Sequence, residues 1–230
     1  MRKNLLLLSC LGIGVACQPS SPSSSQESTE PILTNTTAIP QGFELLSETW
    51  GDLNKDGVEE WVRIYNTDSV GDFGRERELH IFEKNYVEGN WDLLYYAKKV
   101  VLPDAHGGIM GDPFGELSVE NGAVVLRQQG GSRYKWSYIH RFRYQAEKWQ
   151  LIGTTIETGA PCEMWEHFDY NLSTGKIIYT KELENCETDP TTSVESREEL
   201  FHKLPSLPQM DGFYPGDNEV ALRDTLSFYF

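Results

Sequence analysis

Residues 133–144 read RYKWSYIHRFRY. The even positions are Tyr134, Trp136, Tyr138, His140, Phe142 and Tyr144; the odd positions are Arg133, Lys135, Ser137, Ile139, Arg141 and Arg143. A β-strand turns successive side chains to opposite faces, so this alternation gives one aromatic face and one largely basic face. A helix would scatter both sets around its axis. The aromatic face is expected to be core rather than a sugar-stacking platform, with His140 a hydrogen-bonded core residue. The basic face is expected to pair with carboxylates on neighbouring strands.

The same period runs outward in both directions. Gln145-Ala146-Glu147 reads as a turn, after which Trp149 to Ile156 returns beside the first strand. Leu117 to Glu120 and Ala123 to Arg127 flank Asn121-Gly122, the strongest short hairpin signal. Shorter strands are predicted at 43–49, 58–65, 79–82, 91–96, 164–170 and 176–182. One helix is predicted, from about Ser193 to Lys203, with Thr192 and Glu195 as a capping box and Pro205 as its stop. Residues 219–230 are left open between a short helix and a closing strand. The fold class that follows is mainly β: an antiparallel meander forming a curled sheet or sandwich, with one short C-terminal helix. The alternating helices that a parallel α/β enzyme needs are missing from the pattern.

The formal charge is −15. Such a surface repels nucleic acid and anionic headgroups and attracts divalent cations, so no nucleic-acid partner is expected. Six Trp, eleven Tyr and ten Phe suffice for one sizeable core, placed at 42–230 as a single β-rich domain.

The chain begins MRKNLLLLSCLGIGVAC. Arg2 and Lys3 precede an apolar run, Leu5 to Val15, too short for a stable bilayer span. Small residues then lead to Cys17. This resembles the lipobox of bacterial lipoproteins, with Gly14 where that family prefers leucine. The resemblance implies a signal peptide at 1–16, lipid attachment at Cys17, and a cell-envelope protein held to a membrane by its lipid. Leu7-Leu8-Ser9-Cys10 is a second candidate lipobox, and an ordinary secretory signal is a third reading. Loss of Arg2 and Lys3 with the signal would move the charge from −15 to −17. Residues 17–41, rich in Ser, Thr and Pro, read as a lipidated disordered tether. Gln18, not aspartate, follows the cysteine, which in Gram-negative lipoproteins implies the outer membrane.

Export also bears on the remaining thiols. Cys162 and Cys186 are equidistant from Thr174, at the turn of a predicted hairpin, and are expected to face each other as a disulfide. Two free buried thiols are the alternative.

Gly51 to Trp61 reads GDLNKDGVEEW. Asp52, Asn54 and Asp56 stand two apart, and Gly57 permits a sharp turn. Calcium takes six to eight oxygen ligands, and the Val58 carbonyl and Glu60 carboxylate would complete its shell. The twelfth loop position is Arg63, where an EF-hand needs a bidentate glutamate. The DxNxDG pattern between two predicted strands resembles the calcium loops of FG-GAP and VCBS-type repeats. The resemblance covers only about 49–68 and occurs once, so the propeller fold is not implied. The opposing reading is a turn whose side chains cap the backbone without an ion.

The stretch Pro103 to Gly115, PDAHGGIMGDPFG, is a long loop expected to be structural, with Asp104, His106 and Asp112 as the candidate metal or acid–base set if it carries function. Neither HExxH, GxSxG nor a P-loop occurs. Residues 101–153 resemble a block found in uncharacterised bacterial lipoproteins, which implies no activity. The leading expectation is therefore an exported, lipid-anchored, non-enzymatic binding or structural module with a calcium-stabilised loop, contacting an envelope protein or glycan. The alternative is a secreted hydrolase, carbohydrate-active, using the 103–115 loop.

Overall fold

A computed structural model describes residues 39–187 and 191–230. The expected signal peptide, Cys17 and nearly all of the tether lie outside the described residues.

The expectation of an antiparallel meander is met twice over. The first sheet runs β1 (Glu44–Gly51), β2 (Glu60–Gly71), β3 (Gly74–Asn85) and β4 (Asn90–Lys98), in that spatial order. The second holds β5 (Phe114–Glu120), β6 (Ala123–Gly131), β7 (Lys135–Gln145), β8 (Lys148–Ala160), β9 (Met164–Asn171), β10 (Lys176–Asn185) and β11 (Thr191–Phe201), each paired to its sequence neighbours. Neither closes into a barrel. Residues 219–230 resolve as a hairpin, β12 (Glu219–Arg223) and β13 (Leu226–Tyr229).

Turn chemistry explains the tight connections. Asn121 and Gly122 both take positive φ, as a type I′ hairpin turn requires. The β7–β8 turn uses Ala146 and Glu147 at φ 48° and 61°. Neither residue favours that region, and each left-handed non-glycine residue costs about 1–2 kcal/mol.

Residues of both sheets and of the C-terminal hairpin share one core. Val62, Ile64, Leu79 and Ile81 meet Leu126, Phe142, Ile156 and Phe168, with Phe213, Val220 and Phe228 added from the C-terminal segment. Each such side chain contributes about 1.5–3 kcal/mol on burial. The leading edges of the sheets also approach: a Cβ at Gly51 would stand 2.5 Å from Val119, so only glycine fits there. Across the second sheet, register aligns Leu126, His140, Thr154, Tyr170, Ile177 and Leu200 in one row of side chains.

The aromatic stripe is core only at its centre. His140 and Phe142 are fully buried, but Tyr134 and Tyr144 are 65% and 48% exposed at the two ends. His140 is also not the hydrogen-bonded residue expected. Its two ring nitrogens, and Oγ1 of Thr154 directly opposite, lack a partner among the described residues. Burial, helped by the charge of Arg141, lowers the His140 pKa to about 3, so the ring is neutral.

One expectation is overturned. The segment read as a helix from Ser193 to Lys203 is strand β11, paired along β10 from Lys176↔Phe201 to Asn185↔Thr191. Its glutamates favour a helix in isolation, but here they answer lysines across the sheet: Lys176–Glu199 at 2.7 Å and Lys181–Glu195 at 2.6 Å. Glu195 is the extra residue where the register shifts between Lys181 and Glu182. Charged side chains also suit an edge strand, since they discourage pairing with another chain.

Cys162 and Cys186 come together as a disulfide pair at the open end of the β9–β10 hairpin, with Cα atoms 5.1 Å apart. Among the described residues no helix is long and apolar enough to cross a membrane.

Candidate functional site

The acidic loop joins β1 to β2, where Trp50 pairs and stacks with Trp61 at 5.7 Å. That short span forces residues 52–59 into a tight excursion with positive φ at Lys55 and Gly57. Asp52 accepts hydrogen bonds from the backbone N–H of Lys55 (2.5 Å) and Gly57 (3.0 Å). Asn54 accepts from the Asp56 N–H at 2.9 Å, and Asp56 from the Val58 N–H at 2.8 Å. The side chains therefore hold the turn, as the ion-free reading expects.

Glu60 departs from that reading. It is 3% exposed, yet it carries a carboxylate facing other acids. One oxygen accepts from the Leu53 N–H at 2.7 Å. The other accepts from the Asn54 amide nitrogen at 3.0 Å, and the same nitrogen donates to Asp56 at 3.1 Å. Burial raises the Glu60 pKa, the charges of Asp56 and Asp52 add to the rise, and hydrogen bonding from the Leu53 and Asn54 backbone offsets part of it. The Asn54 nitrogen thus bridges the carboxylates of Asp56 and Glu60. As the side chains stand, no three His, Cys, Asp or Glu groups among the described residues converge closely enough to hold a metal.

The 103–115 loop distributes its polar side chains. Asp104 accepts from the Arg75 backbone N–H (2.9 Å) and from its guanidinium (3.3 Å). Asp112 accepts both terminal nitrogens of buried Arg77 and the Phe114 N–H. His106 lies 3.2 Å from the Tyr214 hydroxyl and packs edge-on to Phe73. Its pKa is lowered by burial, with Asp217 opposing. These three side chains share no hydrogen-bond partner and do not form a metal-binding cluster.

A cleft of about 450 Å³ opens beside the acidic loop, sharing Leu53, Asn54 and Glu60 with it. The remaining wall comes from Glu83 on β3, Leu94 and Tyr95 on β4, Tyr144, Glu147, Lys148 and Trp149 around the β7–β8 turn, and Gln209 and Asp211. The last segment is tied down: the Leu151 N–H donates to Pro208 O at 2.9 Å and the Met210 N–H to Trp149 O at 2.8 Å. Burial raises the Tyr95 pKa to about 12, with the charge of Asp211 adding to the rise and a hydrogen bond with its backbone opposing it.

Sequence reasoning missed this cleft. Its residues come from five places in the chain, and only Tyr144 and Trp149, astride one turn, are neighbours by pattern. Comparison with known proteins finds no matching family model, no matching curated relative and no matching solved structure.

Proposed function

We propose that the chain is an exported, lipid-anchored, non-enzymatic binding module of the cell envelope, with a calcium-stabilised loop at Asp52, Asn54, Asp56, Val58 and Glu60. The observation that carries the calcium reading is Glu60. A carboxylate this buried, beside two further acids, is a standing electrostatic cost that a divalent ion relieves. The Asn54 amide nitrogen, bridging Asp56 and Glu60, takes the place of a cation; turning the amide presents its oxygen instead.

The anchor at Cys17 rests on the lipobox resemblance, and the calcium loop's family on its resemblance to FG-GAP and VCBS-type loops. The non-enzymatic reading is favoured over the hydrolase because Asp104 and Asp112 are committed to arginines of β3, leaving His106 without a carboxylate partner in the loop.

Two measurements test it. Cys17→Ser should move the protein from the membrane to the soluble fraction; continued retention would transfer the lipid to Cys10. Calorimetric titration should find one calcium per chain, lost in Asp56→Ala; no binding to the wild type at millimolar calcium would remove the metal from the account.

A further inference from the structure

We propose that the cleft between the acidic loop and the β7–β8 turn binds a small organic cation carrying an ammonium or quaternary ammonium group. This goes beyond the calcium reading: the cleft shares Asn54 and Glu60 with the acidic loop, but Glu83, Glu147 and Asp211 belong to the cleft alone, and the test is run with the loop free of calcium.

Three aromatic rings form its apolar part. Trp149 is buried, with Tyr95 at 5.9 Å and Tyr144 at 5.5 Å between ring centroids. The two tyrosines are inclined at 38° and 50° to the indole. Rings inclined in this way leave faces for a ligand that a flat stack would cover. Tyr144 and Leu94 are each 48% exposed, so apolar surface stands open to solvent here. Aromatic faces grouped around a cavity attract cations, quaternary ammonium above all.

The charged part is predominantly negative. Glu60, Glu83, Glu147 and Asp211 line the cleft against a single cation, Lys148. A neutral sugar would stack on the rings but leave this excess of carboxylate desolvated and uncompensated. An anion would be repelled. A compact cation with an apolar shell satisfies both halves, and the volume lies in the range of small-molecule sites. The fold also holds Glu147 there at a left-handed φ of 61°, against its own preference.

Choline is the probe, tested by calorimetry on the full protein with a chelator present. Its uncharged isostere 3,3-dimethyl-1-butanol serves as control, and phosphatidylcholine vesicles form a parallel arm. The expected result is choline binding with the isostere at least about tenfold weaker, Tyr144→Ala and Asp211→Asn each weakening choline about tenfold, and Lys148→Gln tightening it. Tyr144 and Lys148 are exposed, so these variants fold; circular dichroism checks each. Vesicle binding that choline competes away assigns the cation to a lipid headgroup, and choline binding without vesicle binding assigns it to a free solute. Equal binding of choline and isostere, or no heat with choline on folded wild type, overturns the proposal.

Discussion

The guanidinium of Arg77 donates to both carboxylate oxygens of Asp112, at 2.8 and 2.5 Å. The Arg77 side chain is fully buried on β3, whereas the Asp112 side chain is 44% exposed just before β5. The pair therefore clips the first sheet to the entry of the second. Arg77 also donates to the Asn66 side-chain oxygen and to the Leu102 carbonyl, so all three of its guanidinium nitrogens donate.

Removing Asp112 strands a buried charge. Asp112→Asn should lower stability by about 1–3 kcal/mol, below the 3–5 of a fully buried pair because water reaches the carboxylate. Asp104→Asn, whose partner Arg75 has a side chain 41% exposed against the fully buried Arg77, should lower it less. Urea midpoints of the two variants give the ranking, and equal losses would dissolve the distinction.

Asp112 also predicts an acid limb. Burial alone would raise its pKa, but hydrogen bonds from Arg77 and Phe114 and the charges of Arg77 and Arg75 outweigh burial and lower it. A carboxylate depressed in the folded state stabilises above its unfolded pKa, and that contribution disappears as pH falls through the folded value.

His140 acts in a higher window. Its folded pKa is about 3 against an ordinary 6.5. Below 6.5 the unfolded chain binds a proton that the folded chain refuses, so stability falls by up to about 1.4 kcal/mol per pH unit between roughly 6.5 and 3. His140→Phe should flatten this stretch of the stability–pH profile and leave neutral-pH stability equal or higher, since two unpartnered nitrogens are removed. An unchanged profile would mean that the imidazole is solvated.

The Cys162–Cys186 pair closes a loop of sequence separation 24. Its reduction, or Cys162→Ser with Cys186→Ser, should cost about 3 kcal/mol through the entropy of the unfolded chain. Denaturation with and without reductant reads the difference directly. The loss should not be larger, because β9 and β10 remain paired through Lys176↔Asn171 to Leu183↔Met164.

Glu147→Gly separates stability from binding. Glycine accepts the left-handed turn without strain, so the variant should gain about 1 kcal/mol in stability. It also deletes one carboxylate of the cleft, so choline should bind more weakly. A variant that is both less stable and unaltered in binding would contradict both halves.

Strand alternation made most of the fold legible. Alternation in 133–144 and the Asn121-Gly122 turn reported pairings that are local, so spacing and turn residues sufficed to place β5 to β8. The cysteines were legible for the same reason, since a hairpin makes sequence symmetry equal spatial symmetry. β11 was misread because its glutamates find their lysines only across β10, a tertiary gain that overrides the propensity of TTSVESREELF. The acidic loop was visible as a pattern, but the burial of Glu60 was not, since it depends on Leu53 folding back onto it. The cleft stayed hidden because β3, β4, a turn and residues 209–211 contribute one or a few side chains each.

The most direct test of the account is the melting temperature of the protein in calcium and in chelator, with Asp56→Ala alongside. The account predicts that calcium at about one hundred times its dissociation constant stabilises the wild type by about 2.7 kcal/mol, a rise of about 5–10 °C, and leaves Asp56→Ala unmoved. Identical wild-type melts in calcium and chelator would contradict it.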